Sequence, residues 1–278
     1  RRRLGVSLHR RPVVWGVLNV TPDSFSDGGD YFTLDRAVTR AHDMMSQGAS
    51  VIDVGGESTR PGASRVDVES EQARVLPVIT ELTTQGIPVS IDTMWADTAL
   101  KARAAGATII NDVSGGMADE KMLPMMALEG CNVVLMHWRA HSQEMDSVAV
   151  YDDVVNEVRE ALAQRVAAAL AAGIAAENII LDPGLGFAKS SQHNWELLAQ
   201  LEEAIPAGYR VLVGASRKRF LGELLPEGHG VQERDASTAH LGVLLAEKGV
   251  GVLRVHNVAA QTHALDVWQA FHQGGLRG

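Results

Sequence analysis

One short stretch of the chain reads Val13-Val-Trp-Gly-Val-Leu-Asn19, six residues without a charge followed by an amide. A continuous apolar run of this length is typical of a parallel strand that is buried on both faces. The polar, glycine-rich residues 21–31 follow at once and offer little to a core. The stretch therefore predicts a buried strand whose last residue, Asn19, points into a polar site.

Seven similar runs follow along the chain. They cover residues 51–54, 89–91, 108–110, 133–136, 179–181, 211–213 and 250–255. Apolar residues at helical spacing lie between them, at 69–85, 96–105, 153–172, 195–204, 236–248 and 260–272. Eight strand-like runs that alternate with helical segments predict an α/β fold, a single (β/α)8 TIM barrel, rather than a doubly wound open sheet.

The composition is that of a globular chain, with 46% hydrophobic residues among 278. Because no linker divides it, we expect one domain over 1–278, with flexible termini at 1–11 and 273–278. A net charge of −9 excludes a general nucleic-acid binder. No run reaches the roughly 18 apolar residues of a membrane span, and no secretory signal peptide is expected. The single cysteine, Cys131, predicts a buried structural thiol in a cytoplasmic protein.

A polar or charged residue stands at or just after the end of nearly every strand-like run. The set comprises Asn19, Asp53, Asp92, Asn111, His137, Asp182, Lys218, Arg254 and His256. The carboxyl ends of barrel strands meet at one face, which holds the active site. Any one of these residues is explained equally well as a cap or turn residue. Their presence at nearly every strand favours a shared site.

The residue types in this set suit a polar heterocycle that carries an anion. Donors and acceptors for the edge of such a ring come from Asp92, Asn111, Asp182 and Lys218. Positive charge comes from Arg60, Arg217, Arg219, Arg254 and His256. TIM barrels commonly bind phosphate after strands seven and eight, where four of these five cations lie. The set therefore predicts a phosphorylated small-molecule substrate.

Seven segments of the chain also form a recognisable series. They read Leu18-Asn-Val-Thr-Pro-Asp-Ser-Phe-Ser-Asp-Gly-Gly29, Asp53-Val-Gly-Gly-Glu-Ser-Thr-Arg-Pro-Gly62, Ser90-Ile-Asp-Thr93, Ile110-Asn-Asp-Val113, Leu181-Asp-Pro-Gly-Leu-Gly-Phe187, Ser216-Arg-Lys218 and Arg254-Val-His256. In this order they resemble the signature blocks of the dihydropteroate synthase family. One block would be weak support, whereas seven in register are specific.

The resemblance implies a transferase of folate biosynthesis. Such an enzyme joins 6-hydroxymethyl-7,8-dihydropterin diphosphate to 4-aminobenzoate and releases 7,8-dihydropteroate and diphosphate. The family mechanism resembles an SN1 displacement, in which diphosphate leaves before the arylamine attacks. Sulfonamides compete for the aminobenzoate site, so the chain is expected to be a sulfonamide target.

The resemblance also implies roles for individual residues. The pterin would be read by Asp92, Asn111, Asp182 and Lys218, within walls formed by Met136, Phe187 and Gly214. The diphosphate side would hold Arg60, Arg254 and His256, with Asn19 near Mg²⁺. The aminobenzoate would be bordered by Phe25, Thr59, Pro61, Lys218 and Arg219. Members of the family are usually dimers through their late helices, so a homodimer is expected.

The chain departs from the family at Asn257, where many members carry aspartate after Arg-Val-His. If that aspartate orients the histidine, Asn257 would hold His256 less strongly as a cation. Three alternatives remain open at this point. They are another pterin-binding barrel such as a methyltetrahydrofolate:corrinoid methyltransferase, a non-catalytic paralogue that retains pterin binding, and a Schiff-base aldolase that uses Lys218.

Overall fold

The computed structural model describes residues 10–21, 30–57 and 65–274, so most of the termini predicted to be flexible lies outside the described residues. Eight parallel strands pair in chain order to form a closed barrel. The strands are β1 (Val13–Asn19), β2 (Val51–Gly55), β3 (Val89–Asp92), β4 (Ile109–Asp112), β5 (Asn132–Met136), β6 (Ile179–Asp182), β7 (Arg210–Val213) and β8 (Val252–Val255). Val13 pairs with Val252, which closes the sheet. The predicted barrel is confirmed, and an open sheet is excluded.

Helices follow the strands and form the outer layer. They are α1 (Asp30–Ser46), α2 (Val68–Thr84), α3 (Ala96–Ala104), α4 (Met122–Glu129), α5 (Val154–Ala172), α6 (Ser191–Ala199), α7 (Leu201–Ala204), α8 (Arg219–Gly222), α9 (Arg234–Glu247) and α10 (Val258–Gln273). The prediction of one helix over 195–204 is wrong, because the structure has two helices there. The first, α6, begins at Ser191 because Ser190 caps it. Gln200, whose φ of −114° and ψ of 31° are not helical, separates α6 from α7. None of the helices in the described residues is long and apolar enough to cross a membrane.

The ends of α5 show how local sequence sets a helix. The Asp153 side chain accepts a hydrogen bond from the backbone N–H of Asn156, a cap that contributes about 1 kcal/mol. Gly173 ends the helix with a φ of 101°, which an L side chain rarely adopts. Six of the seven residues predicted to form its apolar stripe are buried, at Val154, Val155, Val158, Leu162, Val166 and Ala169. The seventh, Leu170, is exposed.

Apolar side chains fill two separate layers. The larger lies between the strands and the helices and includes Cys131, which confirms the buried thiol predicted from the sequence. The smaller lies inside the barrel and consists of Trp15, Val51, Ile109, Val134, Ile180, Leu212 and Val252, here called the barrel plug. Because these residues lie towards the beginnings of their strands, the barrel plug fills the amino-terminal end of the barrel. The carboxyl-terminal end is left to other side chains.

Candidate active site

The polar residues predicted at the strand ends lie directly above the barrel plug. Side chains two positions apart on a strand point to the same face of the sheet. Two positions after a residue of the barrel plug come Asp53, Asn111, Met136, Asp182, Gly214 and Arg254. On β3 the matching residue is Asp92, two positions after the buried Ser90. The inside of the barrel therefore has an apolar layer below and a layer rich in predicted site residues above it.

Arg254 of β8 links two acidic side chains in this upper layer. Its Nε donates to Oδ2 of Asp53 at 2.5 Å, and its Nη2 donates to Oδ2 of Asp92 at 2.7 Å. Asn111 donates through Nδ2 to the same oxygen of Asp53 at 3.1 Å. Asp53 is fully buried, whereas the Arg254 side chain keeps 19% of its surface exposed. The guanidinium thus connects the bottom of the site to its opening.

The electrostatics of this group follow from burial and from sharing one cation. Burial raises the pKa of Asp92 to about 7, and the Arg254 guanidinium opposes that rise. Burial also acts against the charge on Arg254, but the carboxylates of Asp53 and Asp92 outweigh it and raise the pKa of Arg254 above its usual value. The arginine is therefore charged. Asp92 is an acceptor whose ionisation responds strongly to any donor that binds beside it.

Asp182 and Lys218 influence each other electrostatically in the same site. The Oδ1 atom of Asp182 accepts from the backbone N–H of Gly184 at 2.7 Å. Burial raises the pKa of Asp182, against the charges of Lys218 and Arg254. Burial lowers the pKa of Lys218 to about 8, against the charge of Asp182. A Cβ on Gly214 would lie 3.8 Å from Cδ of Arg254 and 3.9 Å from Oδ2 of Asp182, so this glycine lies between the two groups.

An apolar wall stands beside these polar groups. Its buried members are Met94, Val113 and Met136, and Trp138 and Phe187 pack against them. The Nζ atom of Lys218 lies 4.7 Å from the centre of the Phe187 ring and donates to the carbonyl of Leu185. A flat ring with a polar edge suits a site of this form, with one apolar side and several donors and acceptors.

Asn19 and His256 follow the neighbouring strands β1 and β8. Asn19, the last residue of β1, lies in register with Gly55 of β2. The Nδ1 atom of His256 lies 3.0 Å from Oγ of Ser216, and its backbone N–H donates to the same hydroxyl at 3.1 Å. His256 comes two residues after Arg254, so the structure brings the two predicted phosphate-side cations to the end of one strand.

Related proteins are found both among sequences and among solved structures. The family described as "Pterin binding enzyme" matches residues 15–256. The dihydropteroate synthase of Mycobacterium leprae is 50% identical over 267 residues, which cover 94% of each chain. The Xanthomonas albilineans dihydropteroate synthase, solved with 4-aminobenzoic acid, has a TM-score of 0.88 and 44% identity over 94% of this chain and 93% of its own. The Yersinia pestis dihydropteroate synthase, solved with a sulfonamide drug, has a TM-score of 0.87 and 38% identity over 95% of each chain.

The chain belongs to the dihydropteroate synthase family. Four residues predicted to line a dihydropteroate synthase site lie outside the described residues. They are Phe25, Thr59, Arg60 and Pro61. The other predicted site residues lie on or just after the ends of the strands, and all but Arg219 are at least partly buried.

At the family departure at Asn257 the structure gives His256 another side-chain partner, because Ser216 lies beside its Nδ1 atom. The weaker hold on a cationic His256 stays a prediction. Asn257 accepts from the backbone N–H of Ala260 and so caps α10. Its amide donates to Oδ2 of Asp235 at 3.1 Å. An aspartate at this position would place a second carboxylate beside Asp235, whereas the amide of Asn257 donates a hydrogen bond to it.

Two arginines that the sequence grouped with the phosphate-side cations differ in their surroundings. Arg217 donates through Nε and Nη2 to the two oxygens of Asp235 at 2.7 and 2.8 Å, so its charge is paired with a carboxylate, and its place in the anion site stays a prediction. Its backbone is left-handed, with a φ of 61°. Arg219, the first residue of α8, is exposed and lines a separate surface opening with His229 and Arg234. Its predicted contact with aminobenzoate stays a prediction.

Sequence reasoning did not assign a role to two residues that hold this site together. Asp53 was visible as the single charge inside a buried strand, and it now joins Arg254 to Asn111. Ser216, which positions His256, gave no such signal. Its hydroxyl follows the end of β7, where the alternation of strand faces no longer predicts direction.

A buried carboxyl supports the site from outside the barrel. Glu71 of α2 is 1% exposed and accepts a hydrogen bond from Oγ1 of Thr93 at 2.7 Å. Thr93 follows Asp92 directly, so this contact fixes the end of β3. Burial raises the pKa of Glu71 to about 7, against hydrogen bonds from Thr93 and Thr98.

Replacing Glu71 with glutamine is expected to flatten the pH dependence of stability. The folded-state pKa of Glu71 is about 7 against 4.5 as its ordinary value, so the folded state holds the extra proton between these values. Rising pH through this window therefore removes stability from the parent chain, by about 3 kcal/mol in total. Urea unfolding at several values between pH 4.5 and 8 measures the two slopes.

The matched control is Glu69→Gln, an exposed position on the same helix. This change should leave the slope of the parent chain in place. Equal slopes for the Glu71→Gln variant and the parent would contradict a buried, protonated Glu71.

Proposed function

We propose that this chain is a dihydropteroate synthase that condenses 6-hydroxymethyl-7,8-dihydropterin diphosphate with 4-aminobenzoate. The observation that carries the proposal is the convergence of Asp92, Asn111, Asp182 and Lys218 beside Arg254 at one end of the barrel. Surface turn residues have no reason to share one buried layer, whereas a site for a polar heterocycle requires it. The Xanthomonas albilineans dihydropteroate synthase has been solved with 4-aminobenzoic acid and with 7,8-dihydropteroate, which are a substrate and the product of this reaction.

Recognition of the pterin rests on matching hydrogen-bonding groups. The carboxylates of Asp92 and Asp182 accept from ring and amino N–H groups, the Asn111 amide can do both, and Lys218 donates. Carboxylates this close to the ring also stabilise positive charge that develops on it. The apolar wall with Met136 and Phe187 covers the faces of the ring.

The diphosphate side combines Arg254 and His256 with Asn19, and with Arg60 from the loop that lies outside the described residues. Within residues 10–21, 30–57 and 65–274 no group of three or more His, Cys, Asp or Glu could hold a metal. A single neutral oxygen from Asn19 therefore fits a Mg²⁺ ion that is held mainly by the phosphate oxygens. Bound in that way, Mg²⁺ would neutralise charge on the departing diphosphate.

The reaction then runs as an SN1-like displacement. The bond between the pterin methylene carbon and oxygen breaks, and its electron pair leaves with diphosphate, whose charge Arg254 and His256 offset. The carboxylates of Asp92 and Asp182 stabilise the pterin-methyl cation. The arylamine nitrogen of 4-aminobenzoate forms the new bond to carbon and gives up a proton. Phe25, Thr59, Pro61 and Arg219 are assigned to the aminobenzoate, and a sulfonamide would compete there.

The test is a steady-state assay with both substrates and Mg²⁺. Dihydropteroate and diphosphate should appear in equal amounts, and a sulfonamide should raise the KM for 4-aminobenzoate. Absence of diphosphate release would defeat the proposal. Methyl transfer to a corrinoid would then favour that class of pterin-binding barrel, tight pterin binding without product would favour a paralogue, and borohydride trapping at Lys218 would favour an aldolase.

We further propose a cytoplasmic homodimer. The single cysteine makes folding independent of disulfides, which suits the cytoplasm.

Helices α9 and α10 pack together and expose Leu244, Val267 and Phe271, at 61%, 59% and 82%. Large exposed apolar side chains on adjacent helices suit an interface with a second copy. Sedimentation velocity should give twice the chain mass of 29.8 kDa, and a monomer at all concentrations would contradict the dimer.

A further inference from the structure

A buried lysine lies beneath the candidate site. Lys189 is 5% exposed, and its Nζ atom reaches three hydrogen-bonding partners. It lies 2.8 Å from Nδ1 of His137, and it donates to the carbonyl of Gly184 at 2.9 Å and to the carbonyl of Phe187 at 3.1 Å. A buried lysine usually pairs with a carboxylate, and none of these partners is one. Pairing with a carboxylate therefore does not explain why this lysine is buried.

Either protonation state of Lys189 satisfies this set of partners. An ammonium donates to all three, whereas a neutral amine donates to the two carbonyls and accepts from an N–H at Nδ1 of His137. Burial lowers the pKa of Lys189 well below its usual value. Burial also lowers the pKa of His137 to about 2, so the ring is neutral at any physiological pH. The lysine, the neutral histidine and the two carbonyls form one complete hydrogen-bonded unit.

The two carbonyls belong to the turn 184–187, which bonds to two of the four predicted pterin-reading residues. The backbone N–H of Gly184 donates to Asp182, and the carbonyl of Leu185 accepts from Lys218. Phe187 supplies part of the apolar wall. The turn therefore holds three groups of the candidate site in place, namely Asp182, Lys218 and Phe187.

The turn also contains unusual backbone. Gly184 and Gly186 have φ values of 70° and 73°, and Ala188 has a φ of 47° although it carries a Cβ. A non-glycine residue in this region is strained and persists only where its surroundings hold it. Lys189 follows Ala188 directly and bonds back to both ends of the turn, so it supplies that hold.

We propose that Lys189 and His137 are positioning residues for pterin binding, which hold the turn 184–187 in the form that aims Asp182, Phe187 and Lys218 at the ring. The inference rests on the proposed function, because it concerns the same pterin site. It assigns no chemical step to either residue. Their effect is on how tightly the pterin binds.

The test compares Lys189→Met with the parent chain, since methionine keeps an unbranched side chain and removes the amine. Calorimetry with 6-hydroxymethylpterin, well below the melting temperature of both proteins, should give a Kd raised about 10-fold or more. The Kd for diphosphate with Mg²⁺ should change by less than about threefold, because Asp53, Asp92 and Ser216 position Arg254 and His256 independently of Lys189. A purely structural role would lower the melting temperature and leave both Kd values in place.

Two variants of His137 give a second test of the proposal, which applies if Lys189→Met does not fold. His137→Gln retains a hydrogen-bonding partner for Nζ of Lys189, whereas His137→Leu has none. The leucine variant should lose more pterin affinity than the glutamine variant. Equal affinity in both, or an unchanged Kd in Lys189→Met, overturns the inference. Failure of the parent chain to bind the pterin overturns the proposed function as well, so the two failures are distinguishable.

Discussion

Replacing Arg254 with methionine is expected to lower the free energy of unfolding by about 3–5 kcal/mol. The guanidinium pairs with Asp53 at 2.5 Å and with Asp92 at 2.7 Å, and Asp53 is fully buried. Removing it leaves two carboxylates in a low-dielectric layer without their cation. Urea unfolding of the parent and the variant at one pH measures the difference.

A double variant separates the destabilisation caused by losing the ion pair from that caused by losing side-chain packing. Asp53→Asn with Arg254→Met removes one of the abandoned charges, so it should be less destabilised than Arg254→Met alone. The control is Lys101→Met, which breaks an ion pair with Asp97 whose side chains are 49% and 58% exposed, and it should cost less, because exposed pairs contribute up to about 1 kcal/mol. A loss below about 1 kcal/mol for Arg254→Met would show that Asp53 and Asp92 do not depend on it.

Replacing Lys218 with methionine is expected to lower kcat/KM by about 10- to 150-fold, the value of a lost hydrogen bond from a charged donor. The loss should appear with the pterin substrate and with 4-aminobenzoate, since Lys218 borders both predicted subsites. Steady-state kinetics with each substrate varied in turn measures it. Unchanged kinetics would remove Lys218 from the site.

The same change should stabilise the fold near neutral pH. Burial lowers the pKa of Lys218 from 10.5 to about 8, so below pH 8 the folded state carries a charge that its surroundings disfavour. The parent chain regains this stability as pH rises from about 8 to 10.5, because the unfolded state binds the proton more tightly. In the Lys218→Met variant this rise of stability with pH should be absent. The control is Lys248→Met, which loses an exposed bond to the carbonyl of Ala199 and should change neither activity nor this slope.

Strand periodicity accounts for most of what the sequence predicts about this site. Eight apolar runs indicated the barrel, and the polar residues that interrupt or follow them form the layer above the barrel plug. Asp53, which the sequence grouped with the strand-end residues without a role of its own, lies in that layer because it comes two positions after Val51.

Beyond the strand ends the sequence loses its predictive value. The consecutive residues Ser216, Arg217 and Lys218 bond to His256, Asp235 and Leu185 respectively. No alternation of faces predicts three directions in three residues, and the φ of 61° at Arg217 decides them. Lys189 and His137 lie 52 positions apart, so only the closed barrel reveals their contact.

The central claim is that one end of the barrel binds a pterin through the side chains of several strands. A crystal structure of the chain with 6-hydroxymethylpterin tests it most directly. The account predicts polar ring atoms within about 2.7–3.2 Å of Asp92, Asn111, Asp182 and Lys218, with the ring beside Met136 and Phe187. A pterin bound anywhere else, for example in the surface opening beside Arg219 and Arg234, would contradict it.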